Sequence, residues 1–198
     1  PLMAPNILTI VRIILTPLFI ICLFSSYPTA KFWSLVIFVV AAITDAYDGH
    51  LARKYDQVTI EGKFLDPIAD KILVSSAFIS FAIMGIIDYW MVGLIIFRDL
   101  FVTGLRFAMV SKGLEMVTSR LAKFKTGIQI TVIIFTLIFL GLQQGIAWEW
   151  TMPILAIIEQ YRLIYILTFI VTLFTIYTGV NYLYHNRPII QKYLSRSI

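Results

Sequence analysis

The sequence predicts an all-α integral membrane fold: a single domain over residues 1–198 made of six transmembrane helices. Three observations predict it. Hydrophobic residues make up 60% of the chain and charged residues only 14%, against about 45–50% and about 25% in soluble domains. The apolar residues gather in long runs, and two runs are free of charge over the roughly 20 residues that span a hydrocarbon core. No run shows the apolar–polar alternation of a membrane barrel. The mean hydropathy, +0.89, agrees.

The helices follow in order. Residues 7–24 are apolar but carry Arg12. Residues 32–43 are too short to span alone and must continue through 45–53. Residues 72–87 likewise need the preceding 66–71. Residues 89–110 are long enough but carry Arg98, Asp99 and Arg106. Residues 126–148 and 163–184 contain no charge. Charges at membrane depth are costly and face a cavity or a partner, so the impure helices predict a polar chamber near one membrane face.

The distribution of cations predicts which face. Arg53, Lys54 and Lys63 join helices 2 and 3; Lys112, Arg120, Lys123 and Lys125 join helices 4 and 5; Arg187, Lys192 and Arg196 follow helix 6. The other side has Lys31 and Arg162 among Asp88, Glu149 and Glu159. By the positive-inside rule, both termini and the chamber face the cytoplasm. The net charge of +5 is thereby accounted for without nucleic acid. Trp33, Trp90, Trp148 and Trp150 read as an interfacial belt, and His185 as a surface residue. Lys54, Lys112 and Arg120 read as positive-inside charges. The lone cysteine, Cys22, allows no internal disulfide and reads as a small buried or lipid-facing hydrophobe. Pro1 suggests that the native start lies elsewhere, and no cleavable leader is recognisable.

Four aspartates dominate the chamber. Asp45 and Asp48 are three apart and share a helix face; Asp66 and Asp70 are four apart and share another. A short basic connection lets neighbouring helices aim all four at one point. Four carboxylates in a low dielectric require counter-charge, and a pair of divalent cations supplies it. Oxygen ligands suit Mg²⁺, with Mn²⁺ as a substitute, and substrate phosphates complete the coordination. With His50 the one imidazole nearby, a zinc site is not expected. Gly49 and Ala52 form a small-residue patch that either admits a ligand to the backbone or serves tight helix packing. Gly62 either ends the connection or admits a ligand. Arg53 can fork two hydrogen bonds onto a phosphate. Pro67 suits a first helical turn; if the helix starts near Gly62, it should kink. Arg12 either snorkels to the interface or serves the ligand side. Asn6 and Thr9 read as capping or opening helix 1.

The pattern Asp45-x-x-Asp48-Gly49-x-x-Ala52-Arg53, then Gly62-x-x-x-Asp66-x-x-x-Asp70, resembles the signature of the CDP-alcohol phosphotransferases at every position. The six-helix reading resembles that family over essentially the whole chain. The resemblance implies that Asp45, Asp48 and Asp66 ligate a di-metal centre, with Asp70 both near the metals and acting as general base. It implies CDP contacts by Gly49, Ala52 and Arg53, with Gly62, Asn6 and Thr9 nearby. The incoming alcohol would attack the β-phosphorus of a CDP-lipid, CMP would leave, and the enzyme would be a homodimer in a bacterial cell membrane, with an organelle membrane as the alternative.

The stretch "PNILTIVRIILTP" resembles the first-helix pattern of the phosphatidylglycerophosphate synthase and cardiolipin synthase branch, and "FRDLFVTGLR" and "SRLAKFKTGIQ" look more like the phosphatidylglycerophosphate synthase branch, which joins CDP-diacylglycerol to glycerol 3-phosphate. Arg98, Arg106, Lys123 and Lys125 are then the candidate pocket for the acceptor phosphate. Arg98 and Arg106 stand about 12 Å apart along an ideal helix, so their side chains must converge. Lys123 and Lys125 point apart on a helix. Asp99 can offset Arg98. The chain departs from the branch at Ala122, where Gly is common, and at Asp99, where Glu is frequent. Cardiolipin synthesis is the near alternative, with inositol phosphate or serine as further acceptors. A cation transporter would instead need its carboxylates near the midplane.

Overall fold

The computed structural model describes residues 4–55, 60–117, 119–146 and 148–198; side chains of 4–6, 8, 48–55, 60–70 and 146 lie outside the description. Among the described residues there are eight α-helices and no strand. They are α1 (Ala4–Phe24), α2 (Ala30–Tyr55), α3 (Ile60–Ile83), α4 (Tyr89–Ser111), α5 (Arg120–Gly141), α6 (Met152–Gln160), α7 (Leu163–His185) and α8 (Arg187–Arg196).

Hydrophobic runs account for the long helices, and glycine ends two of them. Gly85 (φ 78°) follows α3 and Gly113 (φ 73°) follows α4. In each turn the residue after the glycine donates its N–H back into the helix, Ile86 to Phe81 and Leu114 to Met109. That closure needs a left-handed residue, which glycine adopts without Cβ strain.

α1 packs on α2 and α3, α2 on α5, α4 on α3 and α7, and α5 on α7. Their shared core includes Phe19, Phe38, Phe78, Phe81, Met91, Ile95, Ile133 and Leu137. The outward faces are also apolar: Ile14, Ile21, Phe97, Phe101, Ile170 and Val180 are exposed. A surface of this kind suits lipid, not water. Ala30–Tyr47, Arg120–Gly145 and Leu163–His185 are long and apolar enough to cross a membrane, and Thr9–Phe24 and Lys71–Ile83 are shorter apolar helices. α4 has 23 residues, but Arg98, Asp99 and Arg106 interrupt its apolar character.

The two ends of the bundle differ. At one end, the Lys31 N–H donates to Gln144 (3.0 Å), Gln144 Nε2 donates to the Ser25 carbonyl (3.1 Å), and the Tyr165 hydroxyl donates to Asp88 (2.7 Å). These bonds gather the start of α2, the residues after α5, the α3–α4 turn and the start of α7. All four tryptophans belong to this end and are exposed. The charged candidates lie toward the other end.

Several boundaries differ from the sequence reading. α5 stops at Gly141, and a wide turn, Leu142–Ile146, replaces its expected last residues; Gly145 there has φ 151°. The expected 149–162 connection contains α6, opened by Pro153, and the expected tail contains α8, opened by Pro188. α3 starts before Gly62, so Pro67 lies inside it and not in a first turn. α1 starts at Ala4, which puts Thr9 in its second turn and excludes an N-cap role; Asn6 is also inside the helix.

Candidate active site

α1 and α2 meet through a charged pair. Arg12 is buried, and its Nη1 donates to Asp45 Oδ1 at 2.6 Å. Arg12 therefore does not snorkel; it turns inward and fixes the direction of the first aspartate. Thr9 sits three residues earlier and is also buried. α2 continues through Asp48, Gly49, Ala52 and Arg53, and the first half of α3 carries Gly62, Asp66 and Asp70. The side chains of these seven, and of Asn6, lie outside the described ones. Their backbones are helical, so each aspartate pair has the spacing that shares a face.

A second cluster joins α4, α5 and α7. Asp99 Oδ1 accepts from Lys125 Nζ at 2.7 Å and from Arg98 Nη1 at 3.2 Å. All three residues are buried. One carboxylate thus holds two cations, and the trio keeps a net positive charge. Arg98 Nε and Nη2 have no hydrogen-bond partner among the described residues. Leaving such donors unmatched in a buried place is costly, so they are open to a partner from outside the described residues.

Arg106 extends the field. Its Nε donates to the Tyr182 hydroxyl at 3.4 Å, and its guanidinium lies 5.7 Å from that ring's centre. Arg106 lies on α4 with Arg98, and α3, which carries Lys71, packs on both α4 and α5. Lys71 is the residue after Asp70, so the cationic cluster lies beside the aspartate-bearing helix. Lys123 is exposed. It is two positions from Lys125, about 200° around the helix, and the structure does not bring it to Asp99. Phe124, between them, packs edge-on against Phe174 of α7.

Gly179 and Tyr182 escaped the sequence reading. They lie more than 70 residues from the arginines they meet, in a helix that reads as plain apolar span. Lys71 had a signal, its place next to Asp70. A cavity of about 250 Å³ lined by Gln143, Glu159, Arg162 and Tyr165 lies at the tryptophan end, away from both charged clusters.

The fold and these clusters define a class: an all-helical, membrane-type protein with carboxylates and buried cations near one end of its bundle. Residues 2–174 match the CDP-alcohol phosphatidyltransferase family, and the chain belongs to that family. It is 39% identical over 141 residues to a Bacillus subtilis protein named CDP-diacylglycerol–glycerol-3-phosphate 3-phosphatidyltransferase, covering 65% of this chain and 73% of that one. A Cereibacter sphaeroides protein of the same name is 36% identical over 156 residues, covering 73% and 71%. One from Wigglesworthia glossinidia brevipalpis is 36% identical over 171 residues, covering 82% and 93%.

Proposed function

We propose that this protein transfers the phosphatidyl group of CDP-diacylglycerol to glycerol 3-phosphate, giving phosphatidylglycerophosphate and CMP. The names of its relatives support the reaction. The structural observation that carries the acceptor is the buried Arg98–Asp99–Lys125 cluster with its two unmatched arginine donors. Together with Arg106, the cluster has a net charge near +2, which complements a phosphate dianion. The acceptor-phosphate pocket is accordingly Arg98, Arg106 and Lys125, with Lys123 left as a surface cation.

In this reading Asp70 takes the proton from the acceptor hydroxyl. The freed oxygen bonds to the β-phosphorus of the CDP-lipid. The bond from that phosphorus to the bridging oxygen breaks, and CMP leaves with the electron pair. Gly49, Ala52 and Arg53 hold the CDP moiety, with Gly62, Asn6 and Thr9 beside it. Family members are generally divalent-metal dependent, and an all-oxygen donor set anchored by Arg12 at Asp45 fits a hard cation. Asp45, Asp48, Asp66 and Asp70 would hold two Mg²⁺, or Mn²⁺ in their place. When bound, such ions neutralise the diphosphate and the leaving oxygen.

The reading includes six spans, with α1, α3 and α4 completing the set, both termini cytoplasmic, and a homodimer in a bacterial cell membrane. Its test is CMP release by the purified protein from CDP-diacylglycerol and Mg²⁺, offering glycerol 3-phosphate, phosphatidylglycerol, inositol phosphate or serine in turn. We expect release with glycerol 3-phosphate, abolished by EDTA and by Asp70→Asn. Preference for phosphatidylglycerol would reassign the enzyme to cardiolipin synthesis. No release with any acceptor would refute the enzymatic reading.

A further inference from the structure

We infer that Gly179 and Asp99 are positioning residues that aim the open edge of Arg98 at the acceptor's phosphate; the inference rests on the acceptor pocket proposed above. A guanidinium has two bidentate edges. Asp99 occupies Nη1. The two donors left without a partner, Nε and Nη2, lie on one side of the group and form its side-on fork. That edge matches two oxygens of a phosphate or carboxylate. The Asp99 carboxylate is already engaged at Nη1, so the fork is kept for a ligand.

Gly179 explains how the fork stays open. A Cβ built on Gly179 would lie 2.9 Å from Arg98 Cγ and 3.3 Å from Arg98 Nε. The first distance is closer than side chains pack, and Cγ is near the root of the side chain, where rotation gives little relief. Any residue other than glycine would push the Arg98 stem off α7 and crowd the Nε donor. Asp99 acts from the opposite side. It ties Nη1 to the same oxygen that holds Lys125, so the guanidinium cannot turn without breaking a buried charge pair. Arg98 is the group that meets the phosphate; Gly179 and Asp99 act through it.

The test is a double-mutant cycle on the full chain in detergent with Mg²⁺: Gly179→Ala, Arg98→Lys and the two combined. Lysine keeps the charge but has no fork. Each single variant should raise the KM for glycerol 3-phosphate about 10–100-fold, the worth of a charge-assisted hydrogen bond. The KM for CDP-diacylglycerol should stay within about twofold, as for a group that binds only the acceptor. The combined variant should be no worse than the poorer single one, because both remove the same interaction. Additive losses, equal effects on both substrates, or no effect would overturn the inference. Should Gly179→Ala not elute as a folded species, Asp99→Asn takes its place; because it also frees Lys125, the expectation is that Arg98→Lys costs less in that background than in the wild type, and an equal cost would overturn the inference.

Calorimetric titration of wild type and Gly179→Ala with inorganic phosphate separates this inference from the reaction assigned. If the wild type turns over a different acceptor yet binds phosphate, and Gly179→Ala loses that binding, the acceptor assignment fails and the inference stands. Phosphate bound equally by both proteins, or by neither, overturns it.

Discussion

Arg12 and Lys125 are buried cations in apolar helices, and each is seated on an aspartate. Such a group persists at depth only when its charge is matched. Of the two, Arg12 touches a proposed metal ligand. Arg12→Ala would leave Asp45 without its anchor, and ligand-orienting partners are worth about 10–100-fold in metal affinity. The Mg²⁺ concentration for half-maximal CMP release should rise by about that factor. Asp45 is 37% exposed, so the stability loss should be limited to about 1–3 kcal/mol, read by thermal unfolding in detergent. An unchanged Mg²⁺ requirement would remove Arg12 from the site. The choice between Lys123 and Lys125 is also made at this scale. Their spacing shows that they diverge; only the position of Asp99 on α4 shows which one turns inward.

α7 reads as a uniform apolar span, yet its inner face is polar. Thr168, Thr172, Thr175 and Thr178 are buried there, and Thr175 accepts from Gln129 of α5 at 3.1 Å. Hydroxyls that bond within their own helix cost little in lipid and let helices approach closely. Threonine also suits a lipid-facing helix, so composition alone does not separate the faces. At the end of α7, the buried side chain of Asn186 grips the α4–α5 connection: Val117 N–H donates to its Oδ1 at 2.8 Å, and its Nδ2 donates to the Val117 carbonyl at 3.2 Å. Asn186→Ala should weaken that connection by about 1–3 kcal/mol. Amide hydrogen exchange over residues 113–117 should quicken while the core of α5 stays protected. Uniform quickening across the chain would mean that the clamp is global. The short α6 and α8 were not legible for another reason: nine or ten residues are too few for periodicity to rise above a mixed loop composition.

Across the whole molecule, the belt of tryptophans and the charged clusters lie toward opposite ends. This polarity carries the proposed orientation. Single cysteines placed at Glu149 and at Ser195, in a Cys22→Ser background, should be labelled from opposite faces of sealed vesicles by an impermeant reagent. Ser195 should react from the cytoplasmic face. Labelling of both from one face would contradict the six-span reading. The span count depends on α1, α3 and α4, each of which carries charged residues of the proposed site. Their charges lower the apolar signal that identifies a span, so the site obscures the fold where it is built.

The sequence by itself determined the helical class, the aspartate signature and the family, because these depend on composition and on spacing within one or two helices. It also placed the cations along the chain. What only the tertiary structure decided is which groups meet across helices: Arg12 with Asp45, Lys125 with Asp99, and Arg98 against Gly179. Each contact joins different helices, and helix rotation and depth set it. Helical periodicity gives the faces of one helix but not the neighbour each face meets. The fork that Arg98 leaves open exists only once three separate helices have closed around it.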